Sequence, residues 1–220
     1  MNYSRQQDVF ENQTFKTPVH VIGAGATGSW VTLMLAKMGI RNIHVWDFDV
    51  VEEHNLPNQA FGIDDIGDSK AHSAHRMAKN TSGIDVIIHN EKVDGSQFLG
   101  GIVFMLTDTM SSRKEIWEKA IKMKPSVKLL IETRMDLLGG FIYNIDPTNA
   151  KQIEEYEKTF YTDEEAAVSA CGTSQSLIAT AMEISAKAVW QLIKWHAGKD
   201  LPNLISIASE GDFILADRWE

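Results

Sequence analysis

Hydrophobic and polar positions follow two patterns in the first 131 residues. Short apolar runs rich in β-branched residues predict strands at residues 19–22, 42–46, 85–89, 102–106 and 127–131. Apolar residues at helical spacing predict helices at residues 28–38, 69–80 and 111–122. Buried strands that alternate with helices are typical of a parallel sheet covered on both faces. The sequence therefore predicts an α/β fold with a Rossmann-like, doubly wound, mostly parallel sheet.

The pattern changes in the last third of the chain. Residues 141–145 follow Gly139-Gly140 closely and predict an antiparallel neighbour strand. Residues 147–170 are polar and acidic without a clear period, which favours an acidic loop or lid. A long helix is predicted over 175–195, and β character returns over 204–215. We expect an antiparallel C-terminal extension of the sheet, with residues 1–16 forming an N-terminal arm.

Length and composition narrow the class of protein. A chain of 220 residues that is 44% hydrophobic suits one domain, which we assign to residues 1–220. The net charge of −9 and the scattered basic residues disfavour a nucleic-acid partner. No apolar run approaches the roughly 20 residues that span a bilayer. The first eight residues lack the apolar region of a signal peptide, and one cysteine allows no internal disulfide, so we expect a cytoplasmic protein without a membrane partner.

A glycine-rich turn stands between the first predicted strand and helix. Gly23, Gly25 and Gly28 allow a tight turn and a close approach of phosphate to backbone N–H groups at a helix start. Asp47 ends the second strand, where a carboxylate can accept hydrogen bonds from ribose hydroxyls. These features predict a bound adenine nucleotide but do not separate NAD from ATP.

Four further motifs follow one another in a specific order. In chain order, residues 3–6 are YSRQ, residues 47–59 are DFDVVEEHNLPNQ, residues 65–70 are DIGDSK and residues 107–113 are TDTMSSR. Together they resemble the ThiF/MoeB/HesA family of ubiquitin-activating-enzyme-like adenylyltransferases. The resemblance covers residues 3 to about 145, and more loosely the last long helix.

The resemblance implies ATP and Mg²⁺ as cofactors and assigns roles to the matching residues. It implies that Asp47 binds the ribose, that Asn55 and Lys70 contact phosphates, and that Asp108 holds Mg²⁺. It implies that Arg5 reaches the γ-phosphate from the other subunit of a homodimer. The remaining positions matched to the nucleotide-binding motif are Asp49, Asn58 and Gln59.

Each assignment has a simpler structural alternative. Lys70 could be a solvated helix residue, Asp108 could cap the helix near residue 111, and Arg5 could be a surface residue on the arm. Asn58 stands where the family usually has an arginine, which would offer phosphate a charged fork. Arg113 and Arg134 are interpreted as spare cations on sheet-end loops.

The cysteine and histidine content excludes a four-cysteine zinc site and leaves a cysteine nucleophile as an open alternative. Many family members bind zinc through four cysteines, which a chain with one cysteine cannot do, so no zinc is expected. His72 and His75 are interpreted as exposed helix residues. Cys171 precedes the long helix, and it is either a nucleophile that accepts the activated carboxylate or a packed core residue.

We therefore expect a short stand-alone member of this family. Its expected reaction is the ATP-dependent adenylation of a carboxylate with release of pyrophosphate. The resemblance implies that the carboxylate belongs to the C-terminus of a small ubiquitin-like protein or a peptide. The alternatives are an ATP-binding module with weakened catalysis, an NAD-dependent oxidoreductase and a purely structural domain.

Overall fold

The computed structural model describes residues 1–163 and 175–219. These residues form one eight-stranded sheet. Its strands are β1 (Val19–Ile22), β2 (Ile43–Trp46), β3 (Ile87–His89), β4 (Gly101–Met105), β5 (Val127–Met135), β6 (Gly139–Ile145), β7 (Leu204–Ala208) and β8 (Phe213–Asp217). The α-helices are α1 (Gly28–Lys37), α2 (Lys70–Ser82), α3 (Met110–Ile116), α4 (Ala150–Glu157) and α5 (Ile178–His196).

The sheet has two parts that differ in strand direction. Its order is β3-β2-β1-β4-β5-β6-β7-β8, and the pairs from β3 through β5 are parallel. Strands β6, β7 and β8 each pair antiparallel to the preceding strand. The predicted α/β fold with an antiparallel C-terminal extension is therefore confirmed. The parallel strands bring the turns that follow β1, β2 and β4 to one edge of the sheet, called the carboxyl edge below.

The two faces of the sheet have separate hydrophobic cores. Val21 of β1, Leu35 of α1 and Ile184 of α5 belong to one core, on the face that carries α1, α2 and α5. Trp117 and Tyr156 belong to the other core, which packs α3, its π-helical continuation Trp117–Ile121 and α4 against the opposite face. Burial of both faces explains why the central strands are almost wholly apolar.

One predicted loop contains a helix. The structure places α4 inside the acidic segment 147–170, so the prediction of a loop is wrong for residues 150–157. The side chain of Asn149 caps α4 by accepting hydrogen bonds from the backbone N–H groups of Lys151 and Gln152. Only Ile153 and Tyr156 of the helix are buried, so its apolar pattern is too sparse to stand out in an acidic sequence.

The N-terminal arm contains turns and no regular helix or strand before β1. Gln6 Nε2 donates to the carbonyl of Met38, at the end of α1, over 2.7 Å. Phe10 and Phe15 pack on the ring of His196, at the end of α5, with centroids 5.4 and 5.1 Å away. Both helices end at the amino edge of the sheet, so the arm lies at the edge opposite the glycine turn.

Candidate nucleotide site

The three glycines of the β1–α1 turn have different surroundings. Gly23 has a φ of +90°, and a Cβ there would lie 2.8 Å from the carbonyl oxygen of Leu106. A Cβ on Gly28 would lie 1.8 Å from the carbonyl oxygen of Gly23. A Cβ on Gly25 would meet no atom of the described residues within 4 Å. Packing therefore explains Gly23 and Gly28, whereas Gly25 leaves open space beside the backbone at the start of α1.

Asp47 is fixed against this turn. Its Oδ2 accepts a hydrogen bond from the N–H of Ala24 at 2.6 Å, and its Oδ1 accepts one from the N–H of Asp49 at 2.8 Å. Burial raises the pKa of Asp47, and the two backbone hydrogen bonds oppose that shift. The carboxylate is thus buried at the carboxyl edge directly beside the glycine turn, after the second strand as the sequence pattern indicates.

Lys70 and Asp49 form an ion pair next to Asp47. Lys70 is the first residue of α2 and only 8% exposed, and its Nζ lies 2.9 Å from Asp49 Oδ2. The backbone N–H of Lys70 also donates to the carbonyl of Asp49 at 2.9 Å. The alternative of a solvated helix residue is therefore wrong, because the structure buries this ammonium group at the carboxyl edge.

The remaining residues of the second motif lie in the loop after β2. Asn55 Oδ1 accepts from the N–H of Glu52 at 3.0 Å, which closes a one-turn 3₁₀ helix. Asn58 Nδ2 donates to Ser176 Oγ. Asn58 Oδ1 and Gln59 Oε1 are buried and have no hydrogen-bond partner among the described residues. Two acceptors in this loop are therefore unpaired within the described part of the chain.

Asp108 stands in the turn between β4 and α3 and is exposed. The alternative that it caps α3 is wrong, because Thr109 Oγ1 accepts from the N–H of Ser112 at 3.3 Å. Asp163 accepts from the N–H of Met110 at 2.6 Å at the same helix start. The adjacent Thr107 Oγ1 is buried without a partner within the described ranges.

Arg113 and Arg134 are not spare cations. Both are buried and both contact Glu132 of β5, which is 0% exposed. Arg113 Nη1 lies 2.6 Å and Arg134 Nε 2.7 Å from Glu132 Oε1, while the hydroxyl of Tyr156 donates to Oε2. Burial would raise the pKa of Glu132, but the two guanidinium groups hold it below its usual value. The sequence interpretation failed because it could not show that a carboxylate lies between them.

Arg5 is exposed and far from the glycine turn of its own chain. The neighbouring Gln6 is bonded to Met38, at the far end of the ten-residue helix α1. At about 1.5 Å per residue, α1 separates this bond from Gly28 by roughly 15 Å. The structure therefore does not bring Arg5 to the other predicted site residues within one chain.

Several further predictions concern cysteine, histidine and membranes. Cys171 lies outside the described residues. His72 is exposed, whereas His75 is half-buried and its Nδ1 lies 3.0 Å from the carbonyl oxygen of Val86. Within the described ranges, no cluster of three or more His, Cys, Asp or Glu side chains could hold a metal ion. Nor does any described helix combine the length and apolar character needed to cross a bilayer.

A stack of histidines was not predicted. His20, His44 and His89 lie on one face of β1, β2 and β3, and the rings of Trp46 and His89 stack at 3.5 Å. Trp46 Nε1 donates to His20 Nδ1 at 3.1 Å, and His44 Nδ1 lies 3.1 Å from His89 Nε2. The repeated position of histidine in the runs VHVI and IHVW was the available sequence signal.

Known proteins are similar to this chain in sequence and in fold. The Arabidopsis thaliana NEDD8-activating enzyme E1 catalytic subunit is 34% identical over 102 residues, which cover 44% of this chain and 22% of that protein. The probable adenylyltransferase/sulfurtransferase MoeZ of Mycobacterium tuberculosis is 51% identical over 57 residues, or 26% of this chain and 14% of that protein. The structure of E. coli MccB with ATP superimposes with a TM-score of 0.69 at 18% identity, covering 93% of this chain and 64% of that one.

The chain therefore spans less than two thirds of the length of these relatives. The structural likeness supports the fold, and the sequence matches support the family. The sequence model of the ThiF family matches residues 3–215, which include every motif quoted above. This chain belongs to the ThiF family.

Proposed function

We propose that the protein binds Mg·ATP at the carboxyl edge and adenylates a carboxylate, releasing pyrophosphate. The observation that carries the proposal is Lys70, a buried ammonium group whose Nζ lies 2.9 Å from Asp49 and whose helix begins beside Asp47. A triphosphate needs a cation at such a place to offset its charge. A dinucleotide bound by a glycine turn and a ribose-binding acid needs no such lysine.

The residues present fit ATP. The open space at Gly25 lets phosphate approach the backbone N–H groups at the start of α1. Asp47, held by Ala24, would bind the ribose, while Lys70 and Asn55 would contact phosphates. The orphaned acceptors Asn58 Oδ1, Gln59 Oε1 and Thr107 Oγ1 would gain donors from the ligand or its water.

The exposed carboxylate of Asp108 fits the oxygen ligands that Mg²⁺ prefers. When bound, Mg²⁺ would neutralise phosphate charge and favour departure of pyrophosphate. The substrate carboxylate attacks the α-phosphorus, a new P–O bond forms, and the bond to the pyrophosphate oxygen breaks. The protein's own contribution is to hold the two reactants in line and to exclude competing water.

We infer that the substrate is the C-terminal carboxylate of a small ubiquitin-like protein or peptide. Support comes from the relatives, one of which is named a NEDD8-activating enzyme, while MccB structures include MccA. We also propose a homodimer, because Arg5 lies too far from the glycine turn of its own chain to contact a nucleotide there. The proposed location is the cytoplasm. Whether Cys171 accepts the acyl group stays a prediction.

A second candidate function rests on Asn58. Its amide donates to Ser176 and is neutral, so it does not replace the phosphate-binding fork of the family arginine. Arg113 and Arg134 do not substitute for it, because both are bound to Glu132. If the protein binds ATP but does not adenylate a carboxylate, the neutral Asn58 favours an ATP-binding module with weakened catalysis.

The test compares Lys70→Met with Lys79→Met, an exposed lysine on the same helix that pairs with Asp85. Calorimetry should show that wild-type protein binds Mg·ATP in preference to NAD. Loss of one charge-assisted contact should weaken Mg·ATP binding roughly tenfold to a hundredfold in Lys70→Met. Lys79→Met should bind Mg·ATP with the wild-type affinity. Exchange of labelled pyrophosphate into ATP, with peptides that end in glycine, then reports adenylation.

Tight binding of NAD without binding of ATP would overturn the proposal. Binding of Mg·ATP without exchange for any peptide would favour the second candidate. Equal losses in the two lysine variants would show that Lys70 has no special relation to the nucleotide.

A further inference from the structure

A single guanidinium group connects the turn that carries Asp108 to strand β5. Arg113 Nη2 donates to the carbonyl oxygen of Thr107, the residue directly before Asp108. Its Nη1 donates to the carbonyl oxygen of Thr133 at 2.7 Å and to Glu132 Oε1 at 2.6 Å. The planar fork of arginine therefore fixes the distance between the end of β4 and the end of β5.

The carboxylate behind Arg113 is held from several sides. Arg134 binds Glu132 through Nε at 2.7 Å and Nη2 at 3.1 Å, and its guanidinium carbon lies 4.3 Å from the centre of the Tyr143 ring. Tyr156 donates its hydroxyl to the same carboxylate. Glu132 is thus immobile, and Arg113 is anchored to a fixed point.

Stability alone does not require this arrangement. Buried ion pairs must overcome the cost of removing charges from water, and apolar side chains of similar volume stabilise a core as well or better. Directional bonds to a chosen carbonyl are what apolar side chains cannot provide. The Thr133 hydroxyl also lies 3.4 Å from that of Thr27 in the glycine turn, so the same strand end contacts both parts of the candidate site.

We propose that Arg113 and Glu132 are positioning residues that hold Asp108 where a nucleotide-bound Mg²⁺ requires a carboxylate. The proposal rests on the proposed function, since it concerns the metal of the same site. Both side chains are buried among protein groups; Arg113 acts through the Thr107 carbonyl, and Glu132 acts through Arg113.

The test separates the affinity for metal-free ATP from the gain that Mg²⁺ brings. Arg113→Met removes all three bonds but leaves Glu132 paired with Arg134, so no unpaired carboxylate stays buried. ATP binding is measured by calorimetry in EDTA and across a Mg²⁺ titration. We expect binding in EDTA to stay within about twofold of wild type and the Mg²⁺-dependent gain to fall at least tenfold, as it should in Asp108→Ala. The double variant should be no weaker than Asp108→Ala alone.

Asn144→Ala is the matched control, because this buried amide bonds the Pro202 carbonyl at the amino edge. It should lower the melting temperature and leave the Mg²⁺ gain intact. If Arg113→Met does not fold, Arg113→Lys carries the test, since it retains the charge but not the fork. Equal losses with and without Mg²⁺ would overturn the inference. If Asp108→Ala keeps the full Mg²⁺-dependent gain, the inference is overturned as well, whereas wild-type protein that binds no Mg·ATP would overturn the proposed function instead.

Discussion

At the scale of single residues, the glycine turn shows which positions the fold requires and which it leaves free. Gly28 is required by packing, since a side chain would occupy the space of the Gly23 carbonyl. Gly25 has no positive φ and no close neighbour among residues 1–163 and 175–219, so packing within these ranges does not explain its lack of a side chain. A phosphate that approaches the backbone does explain it.

We therefore expect Gly25→Ala to affect nucleotide binding and Gly28→Ala to affect folding. Gly25→Ala should keep the wild-type melting temperature within a few degrees and lower the affinity for Mg·ATP at least tenfold, because the methyl group occupies the phosphate's approach. Gly28→Ala should fail to fold. Thermal melts and calorimetry check both variants, and unchanged ATP binding by Gly25→Ala would contradict the placement of the phosphates.

The sequence predicted which residues surround the glycine turn but not how their side chains pair. The strand pattern placed Asp47 at the end of the second strand, and the family resemblance assigned Lys70 to the phosphates. The Lys70–Asp49 pair joins residues from two separate elements, so its geometry depends on how α2 packs. The same reason explains the error for Arg113 and Arg134, because only the strand order brings α3 and α4 to Glu132.

At the scale of elements, the histidine stack links three parallel strands and makes them sensitive to acid. His20 faces two donors, since Trp46 Nε1 lies 3.1 Å from its Nδ1 and the N–H of Gly100 lies 3.4 Å from its Nε2. A protonated imidazole has no acceptor to offer either group. Burial, followed by the influence of His44 and His89, lowers the pKa of His20 to about 4.

Stability should therefore fall as the pH decreases from about 6.5 to about 4. In that pH range His20 is protonated in the unfolded chain but neutral in the native state, so acid favours unfolding. A shift of this size corresponds to about 3 kcal/mol. Urea denaturation at pH 7 and pH 5 should show a smaller loss in His20→Gln than in wild type. His72→Gln, on an exposed face of α2, should keep the wild-type pH dependence; an identical dependence in His20→Gln would contradict the assignment.

Regular elements were predicted well where one pattern dominated. The strands from β1 to β4 and the helices α1, α2 and α5 lie within a few residues of their predicted positions. Strand β5 extends four residues beyond the predicted end, through Glu132, Thr133 and Arg134. The polar residues in that extension indicated the end of the strand in the sequence. They are buried in the structure, where hydrogen bonds among them and to Arg113 of α3 satisfy their polar groups.

At the scale of the whole molecule, the arm and the candidate site lie at opposite edges of the sheet. Phe10 and Phe15 fix the arm beside His196, and Arg5 extends from it. An arginine held there is useful to a nucleotide only when a second subunit presents its carboxyl edge. Function and assembly are therefore coupled in the proposal.

Mixing experiments test this coupling. Arg5→Ala and Asp47→Ala should each be inactive in pyrophosphate exchange, whereas an equal mixture, refolded together, should regain about a quarter of wild-type activity, because half the dimers carry one intact site of two. Asp47→Ala mixed with Lys70→Ala should regain none, since each subunit supplies both residues to its own site and every site of the hybrid dimer therefore carries one defect. An active monomer at assay concentration would contradict the dimer.

The contact between α1 and α5 has a consequence for synthesis of the chain. Ser185 Oγ donates to the carbonyl of Thr27 at 3.0 Å, across a separation of 158 residues. At roughly 5–20 residues per second, a ribosome needs about 8–32 s to make the intervening segment. During that time the glycine turn exists without the helix that packs on it. The packing of α5 against the glycine turn can therefore form only after α5 has left the ribosome, so this contact belongs to a late stage of folding.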